Sequence, residues 1–123
     1  MNHPILLVIL AIVILIIFKG GLMQKNSISY EEAEQLIQDE KALVVDVRRA
    51  DEYAQGHIPN AKLIPLDQIS TRAEKELKDK DRPIILYCRS GNRSNQALKI
   101  LEHQGYTHLY NLGGLHKWKG KIQ

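Results

Sequence analysis

The sequence contains one cysteine, one phenylalanine, one tryptophan and four prolines in 123 residues. A single cysteine excludes an internal disulfide, a CxxC redox pair and a cysteine-based zinc site. It leaves two roles, a small buried hydrophobe or a reactive thiol. A second absence is local. Residues 1–26 hold no acidic residue, so all 14 Asp and Glu fall in residues 27–123, with 15 of the 17 Lys and Arg. That part is nearly neutral at +1, although the whole chain carries +3. No arginine-rich stripe and no aromatic platform accompanies the basic balance, which speaks against a nucleic-acid partner. The length suits one domain and not two.

The first feature present is an unbroken apolar block, Ile5–Phe18, followed by Lys19, Gly20, Gly21, Leu22 and Met23. Fourteen helical residues span roughly 21 Å, short of a hydrocarbon core of about 30 Å. Extending to Met23 gives roughly 28 Å, which works if Lys19 snorkels to the headgroups. Residues 5–23 are therefore expected to form a single transmembrane helix, with residues 1–26 as anchor and short linker and residues 27–123 as the folded domain. A cleaved signal peptide, which would export the domain to the periplasm, fits less well. The N-terminus lacks Lys and Arg, and Phe18-Lys19-Gly20-Gly21 is a poor cleavage site. Lys19 and Lys25 lie on the C-terminal side, so the positive-inside rule predicts an outward N-terminus and a cytoplasmic domain.

Along residues 27–123, helical and strand patterns alternate. Ser29 and Glu32 make a capping box ahead of a helix to about Asp39. Ala42–Val47 is a short apolar, β-branched run that reads as a buried strand. A helical turn follows at Asp51–Gln55, then a strand at Ala61–Pro65. A polar helix is expected over Asp67–Lys80, with a second capping box at Thr71 and Glu74. Pro83–Tyr87 is the next strand, Ser94–Gln104 a helix, His108–Leu112 a last strand and Leu115–Trp118 a final turn. Such alternation predicts an α/β domain with a largely parallel sheet covered on both faces.

Cys88 follows the strand Pro83–Tyr87, and Arg89-Ser90-Gly91-Asn92-Arg93 lead from it into a helix. A tight loop between a strand end and a helix N-terminus cradles anions with backbone N–H groups and the helix dipole. Gly91 lets the backbone close around the sulfur, and Arg89 and Arg93 add positive charge. Each of these favours thiolate over thiol, so Cys88 is expected to be a nucleophile. Arg93 is five positions after Cys88, one fewer than in the C-x5-R loop of cysteine phosphatases. The loop is thus short for a phosphate and large enough for one extra sulfur atom.

Three blocks in order resemble the rhodanese family of sulfurtransferases over roughly residues 28–120. The first is Asp46-Val47-Arg48, Glu52-Tyr53, Gly56-His57-Ile58-Pro59 and Ala61. The second is the loop Cys88–Arg93, similar to C-R-x-G-x-R. The third is Asn111-Leu112-Gly113-Gly114 with Trp118. The resemblance implies a three-layer rhodanese-like fold with a five-stranded parallel sheet. It implies a Cys88 persulfide, formed from a small anionic donor such as thiosulfate and passed to a thiol, a sulfur-accepting protein or cyanide. No cofactor is expected, and His103, His108 and His116 lack metal-ligand spacing on one element, so no metal is expected either. Sulfite leaves as an anion, so a neighbouring general acid is not needed, and Arg93 and Arg89 would attract the donor. The alternative is a membrane-tethered binding module of the same fold without activity. Asp46, Arg48 and Glu52 read as an ion-pair network, with Arg48 and Glu52 spaced for pairing on a helical turn. His57 reads as a structural residue bonded to backbone, Gly113-Gly114 as a turn near the loop, and Trp118 as a core anchor.

Overall fold

The computed structural model describes residues 4–10 and 26–123. In the folded part the helices are α1 (Tyr30–Glu40), α2 (Ala50–Gln55), α3 (Ile69–Glu76) and α4 (Asn92–His103), and the strands are β1 (Leu43–Asp46), β2 (Lys62–Leu63), β3 (Ile84–Cys88) and β4 (Leu109–Gly114). The strands form one parallel sheet in the order β2-β1-β3-β4. The centre of that sheet is the most deeply buried part of the folded domain. All five residues of β3 are buried, as are Val44, Val45 and Asp46 of β1. Strand alternation sends Val45, Val47, Ile84, Leu86 and Cys88 to one face, where α3 and α4 pack, and Val44, Ile85 and Tyr87 to the other, which Ala33 of α1 helps to cover. Each large apolar side chain buried this way contributes about 1.5–3 kcal/mol. The two covered faces give the three-layer arrangement that the alternation predicts.

The capping box at α1 forms as expected: Ser29 Oγ accepts the Glu32 N–H and Glu32 Oε1 accepts the Ser29 N–H, both at 3.1 Å. The helix ends at Lys41, which adopts the left-handed conformation at φ 53° without being glycine.

Two expectations need correction, and a third is without support among the described residues. The sheet has four strands rather than five. At the β4 edge the incoming chain makes a single parallel bridge, Ser27 to Asn111. Ile28 N–H donates to Asn111 O at 3.1 Å and Asn111 N–H to Asn26 O at 2.8 Å. The Ser29 cap then turns the chain into α1, so pairing stops after one step. Second, Thr71 does not cap a helix. A 3-10 turn at Leu66–Gln68 winds directly into α3, and the Thr71 hydroxyl donates back to Gln68 O at 3.2 Å. The helix closes at Glu76, short of Lys80. Third, the transmembrane anchor is not supported: among the described residues no helix is long and apolar enough to cross a membrane. Of residues 5–23, positions 5–10 are helical and exposed. Residues 11–23 lie outside the described residues, as do Lys19 and Lys25, on which the orientation rests.

Candidate active site

Parallel register sets the position of the thiol. Tyr87 lies opposite Gly113 and Cys88 opposite Gly114, after a bulge in β4 that leaves Leu112 unpaired. Cys88 is thus the last residue of a central strand, at the carboxyl edge where ligands gather in open α/β sheets. Its side chain is fully buried. Gly91, at φ +101°, turns the chain back so that its N–H donates to Cys88 Sγ at 2.9 Å. Ser94 N–H, in the first turn of α4, points at the same sulfur from 3.4 Å. The Ser94 hydroxyl also lies 3.4 Å away. Burial pushes the Cys88 thiol up. The Ser94 hydroxyl and the amides of Ser94, Ser90 and Gly91 outweigh it and hold the thiol below the ordinary cysteine range.

The two glycines after Leu112 give the loop room. A Cβ on Gly91 would lie 3.3 Å from Gly113 Cα, and one on Gly114 would overlap the His116 ring and come within 2.6 Å of the Arg89 carbonyl. Gly113-Gly114 therefore closes β4 against the cysteine loop as part of a strand.

The two loop arginines differ. Arg93 Nη1 and Nη2 donate to Glu52 at 2.7 and 2.9 Å. Its charge is largely neutralised, so it is not the free cation expected. Arg89 is exposed, and its guanidinium makes no ion pair among the described residues. A cleft of about 700 Å³ opens beside it, lined by Glu52, Gln55, Leu115, His116, Trp118 and Ile122 among others. Ser90 and Asn92 are exposed.

The first sequence block lies beside this loop and joins local pairs to one long-range pair, Glu52 with Arg93. Arg48 pairs with Asp46 (Nη2 to Oδ2, 2.7 Å) and donates to Gly56 O, also 2.7 Å, and does not pair with Glu52. Glu52 instead ties α2 to Arg93 and accepts the Arg49 N–H at 3.2 Å. These bonds, Arg93 foremost, depress the Glu52 carboxyl to about 2. His57 Nδ1 lies 2.9 Å from Tyr53 O, and its ring stacks on Tyr53 at 3.6 Å. Trp118 packs edge-on against Tyr30 at 5.0 Å and donates to Lys121 O. Four residues near the site carry no role in the sequence reading: Tyr87, Ser94, Asn111 and His116. Only Ser94 has a local signal, its place in the first turn of the helix after Gly91.

The Glu52 pair makes a prediction about pH. Its carboxyl titrates near 4.5 when unpaired and at about 2 in the fold. A depressed carboxyl adds stability above its unfolded value and loses it as pH falls through the folded one. Glu52→Gln should thus cost about 1 kcal/mol at pH 7. The difference from wild type should shrink below pH 4.5 and vanish near pH 2, measured by urea midpoints. A gap that persists at the acid end would show that the pair is not its source.

A parallel α/β domain with its sole thiol held by loop amides at the carboxyl edge of the sheet defines a class of cysteine-centred anion and sulfur sites. The family model for the rhodanese-like domain matches residues 29–121, and the chain belongs to that family. A sulfurtransferase of Allochromatium vinosum is 43% identical over 76% of this chain and 87% of its own length. The thiosulfate sulfurtransferase GlpE of Coxiella burnetii is 34% identical over 79% of this chain and 90% of its own. Among solved structures, a rhodanese with anions from E. coli superposes with a TM-score of 0.64 at 35% identity, covering 67% of this chain and 96% of its own.

Proposed function

We propose that this protein is a sulfurtransferase that carries sulfane sulfur on Cys88. The observation that supports it most is the convergence of the Gly91 and Ser94 amides on a buried sulfur at 2.9 and 3.4 Å. Amides aimed at one point in a dry site stabilise an anion there far more than they would in water. The steps balance without an oxidant. Cys88 thiolate attacks the outer sulfur of thiosulfate, the S–S bond breaks, and sulfite leaves with the electron pair. The product is Cys88–S–S⁻. A nucleophile, an acceptor thiolate or cyanide, then attacks the terminal sulfur, and Cys88 leaves as thiolate. In this reading Arg89 is the cation that draws the donor anion toward the loop. Ser90, Gly91 and Asn92 shape the cradle. Arg93 holds the loop to α2 through Glu52.

The relatives named as sulfurtransferases, GlpE with thiosulfate in its name, favour the same donor class here. The test is intact mass after thiosulfate treatment. Wild type should gain one sulfur atom, and cyanide should remove it with release of thiocyanate. A wild-type chain that gains nothing would leave the fold as a binding module.

A further inference from the structure

The Ser94 amide belongs to the anion cradle, but the side chains of Ser94 and Asn111 lie outside the loop motif, and both residues are buried beside the thiol. Their hydrogen bonds compete for one proton. Asn111 Oδ1 accepts the Gly113 N–H at 2.9 Å, which identifies that atom as the oxygen. Ser94 Oγ lies 2.7 Å from it, so the Ser94 hydroxyl must donate there. A serine hydroxyl has a single proton. Two further acceptors stand within reach of it, Gly91 O at 3.0 Å and Cys88 Sγ at 3.4 Å. While the proton faces Asn111, Ser94 can only accept from the Cys88 thiol. Once Sγ is a thiolate, a hydroxyl turned toward it becomes a charge-assisted donor, about twice as strong as a neutral one.

We propose that Ser94 and Asn111 form a hydroxyl switch that follows the charge on Cys88 Sγ. Ser94 donates to Asn111 while Sγ is protonated or bonded to a second sulfur, and turns to Sγ whenever it is a thiolate. This rests on the sulfurtransferase reading. The thiolate is the attacking group when sulfur is loaded and the leaving group when it is unloaded, and the same rotation serves both. Ser94 then acts on the reacting atom, and Asn111 is a positioning residue that acts through it. The bulge at Leu112 allows the arrangement: Asn111 stays in register with Leu86 and shares the Cys88 face, while its oxygen reaches forward to Gly113 N–H.

The titratable and charged groups around the thiol are Arg93 on α4 with Glu52 on α2, Arg89 in the loop, Asp46 with Arg48 just after β1, and His116 over Gly114. The variants below leave all of them in place. The experiment is a pH titration of Cys88 in the purified protein, read by the ultraviolet absorbance of the thiolate. Ser94→Ala should move the midpoint up by about one pH unit, which is about a tenfold loss of thiolate at any pH below it. Ser94→Thr restores the hydroxyl and should bring the midpoint back. Asn111→Asp keeps the acceptor for Ser94 and Gly113, adds a negative charge that retains the Ser94 proton, and should also move the midpoint up. An unmoved midpoint in Ser94→Ala or in Asn111→Asp overturns the proposal, as does a Ser94→Thr midpoint that stays with Ser94→Ala. The titration uses no sulfur donor, so it remains readable even if wild type proves unable to take up sulfur.

Discussion

Cys88→Ser protein treated with thiosulfate is expected to keep its unmodified mass, and thiocyanate formation to fall at least about a thousandfold, the scale on which enzymes lose rate with their nucleophile. A serine hydroxyl is not ionised near neutral pH, and nothing in the site would take its proton. The groups that touch Sγ are the Gly91 and Ser94 amides and the Ser94 hydroxyl. The amides can only donate, and the Ser94 hydroxyl is no base at neutral pH. They stabilise a charge that a thiol can generate and an alcohol cannot. The sequence has no other cysteine. An added sulfur that cyanide removes has one thiol to reside on, so the mass reading is unambiguous. No second thiol in the chain can resolve the persulfide internally, so it should persist until an external acceptor arrives. Retained sulfur uptake in Cys88→Ser would remove Cys88 from the proposed mechanism. The fold should survive the change, because the serine oxygen can accept the same two amides.

What the sequence reveals about this site follows the range of the interactions. The capping box at Ser29, the buried run in β3 and the glycine turn after Cys88 are local, and each is readable from residues within about five positions. Asp46 and Arg48 are two apart, and their pairing is equally legible. The partners of Glu52 and Arg93 are not, because they lie 41 positions apart and meet only through the parallel register of β1 and β3. Local spacing favours Arg48 for Glu52. Burial decides otherwise: Asp46 is sealed in the sheet and takes the Arg48 guanidinium, leaving Glu52 to reach across to the loop. Asn111 is hidden for a different reason. Its oxygen is fixed by the Gly113 N–H across the extra residue at Leu112, and nothing in the strand pattern marks a bulge. The fifth strand is lost to a similar competition, between edge pairing at Ser27 and the helix cap that begins at Ser29.

Asp46→Ala should have the largest effect on stability, about 3–5 kcal/mol, the cost of breaking a buried pair by removing one partner. Asp46 is fully buried and accepts the Arg48 backbone N–H at 2.9 Å, its Nε at 3.0 Å and its Nη2 at 2.7 Å, together with the Tyr87 hydroxyl at 2.5 Å. Without it Arg48, a residue only 6% exposed in the fold, is left with Gly56 O as its one strong acceptor. Tyr87 keeps the Ile58 N–H as a donor and loses its acceptor. Burial, the main cause that holds the Tyr87 hydroxyl well above the ordinary phenol range, remains in the variant, so Tyr87 does not ionise at neutral pH to balance the orphaned arginine. A loss of this size is a large share of the 5–15 kcal/mol typical of a domain. Urea unfolding should show a lower midpoint with an unchanged slope, the sign of lost stability rather than altered compactness. The same carboxylate sits in register with Tyr87, one residue before the thiol, and Tyr87 in turn holds Ile58. Its removal therefore loosens the segment from Gly56 to Ile58 as well as the strand that carries Cys88. Asp46→Asn, which keeps the side-chain shape and one acceptor oxygen but replaces the other with an NH2 donor and removes the charge, should cost less, about 1.5–3 kcal/mol. Equal losses for the two variants would show that the charge and second acceptor of Asp46, rather than its shape, carry the effect. A loss under about 1 kcal/mol for Asp46→Ala would mean that water reaches Arg48, and the site is not as dry as its geometry requires.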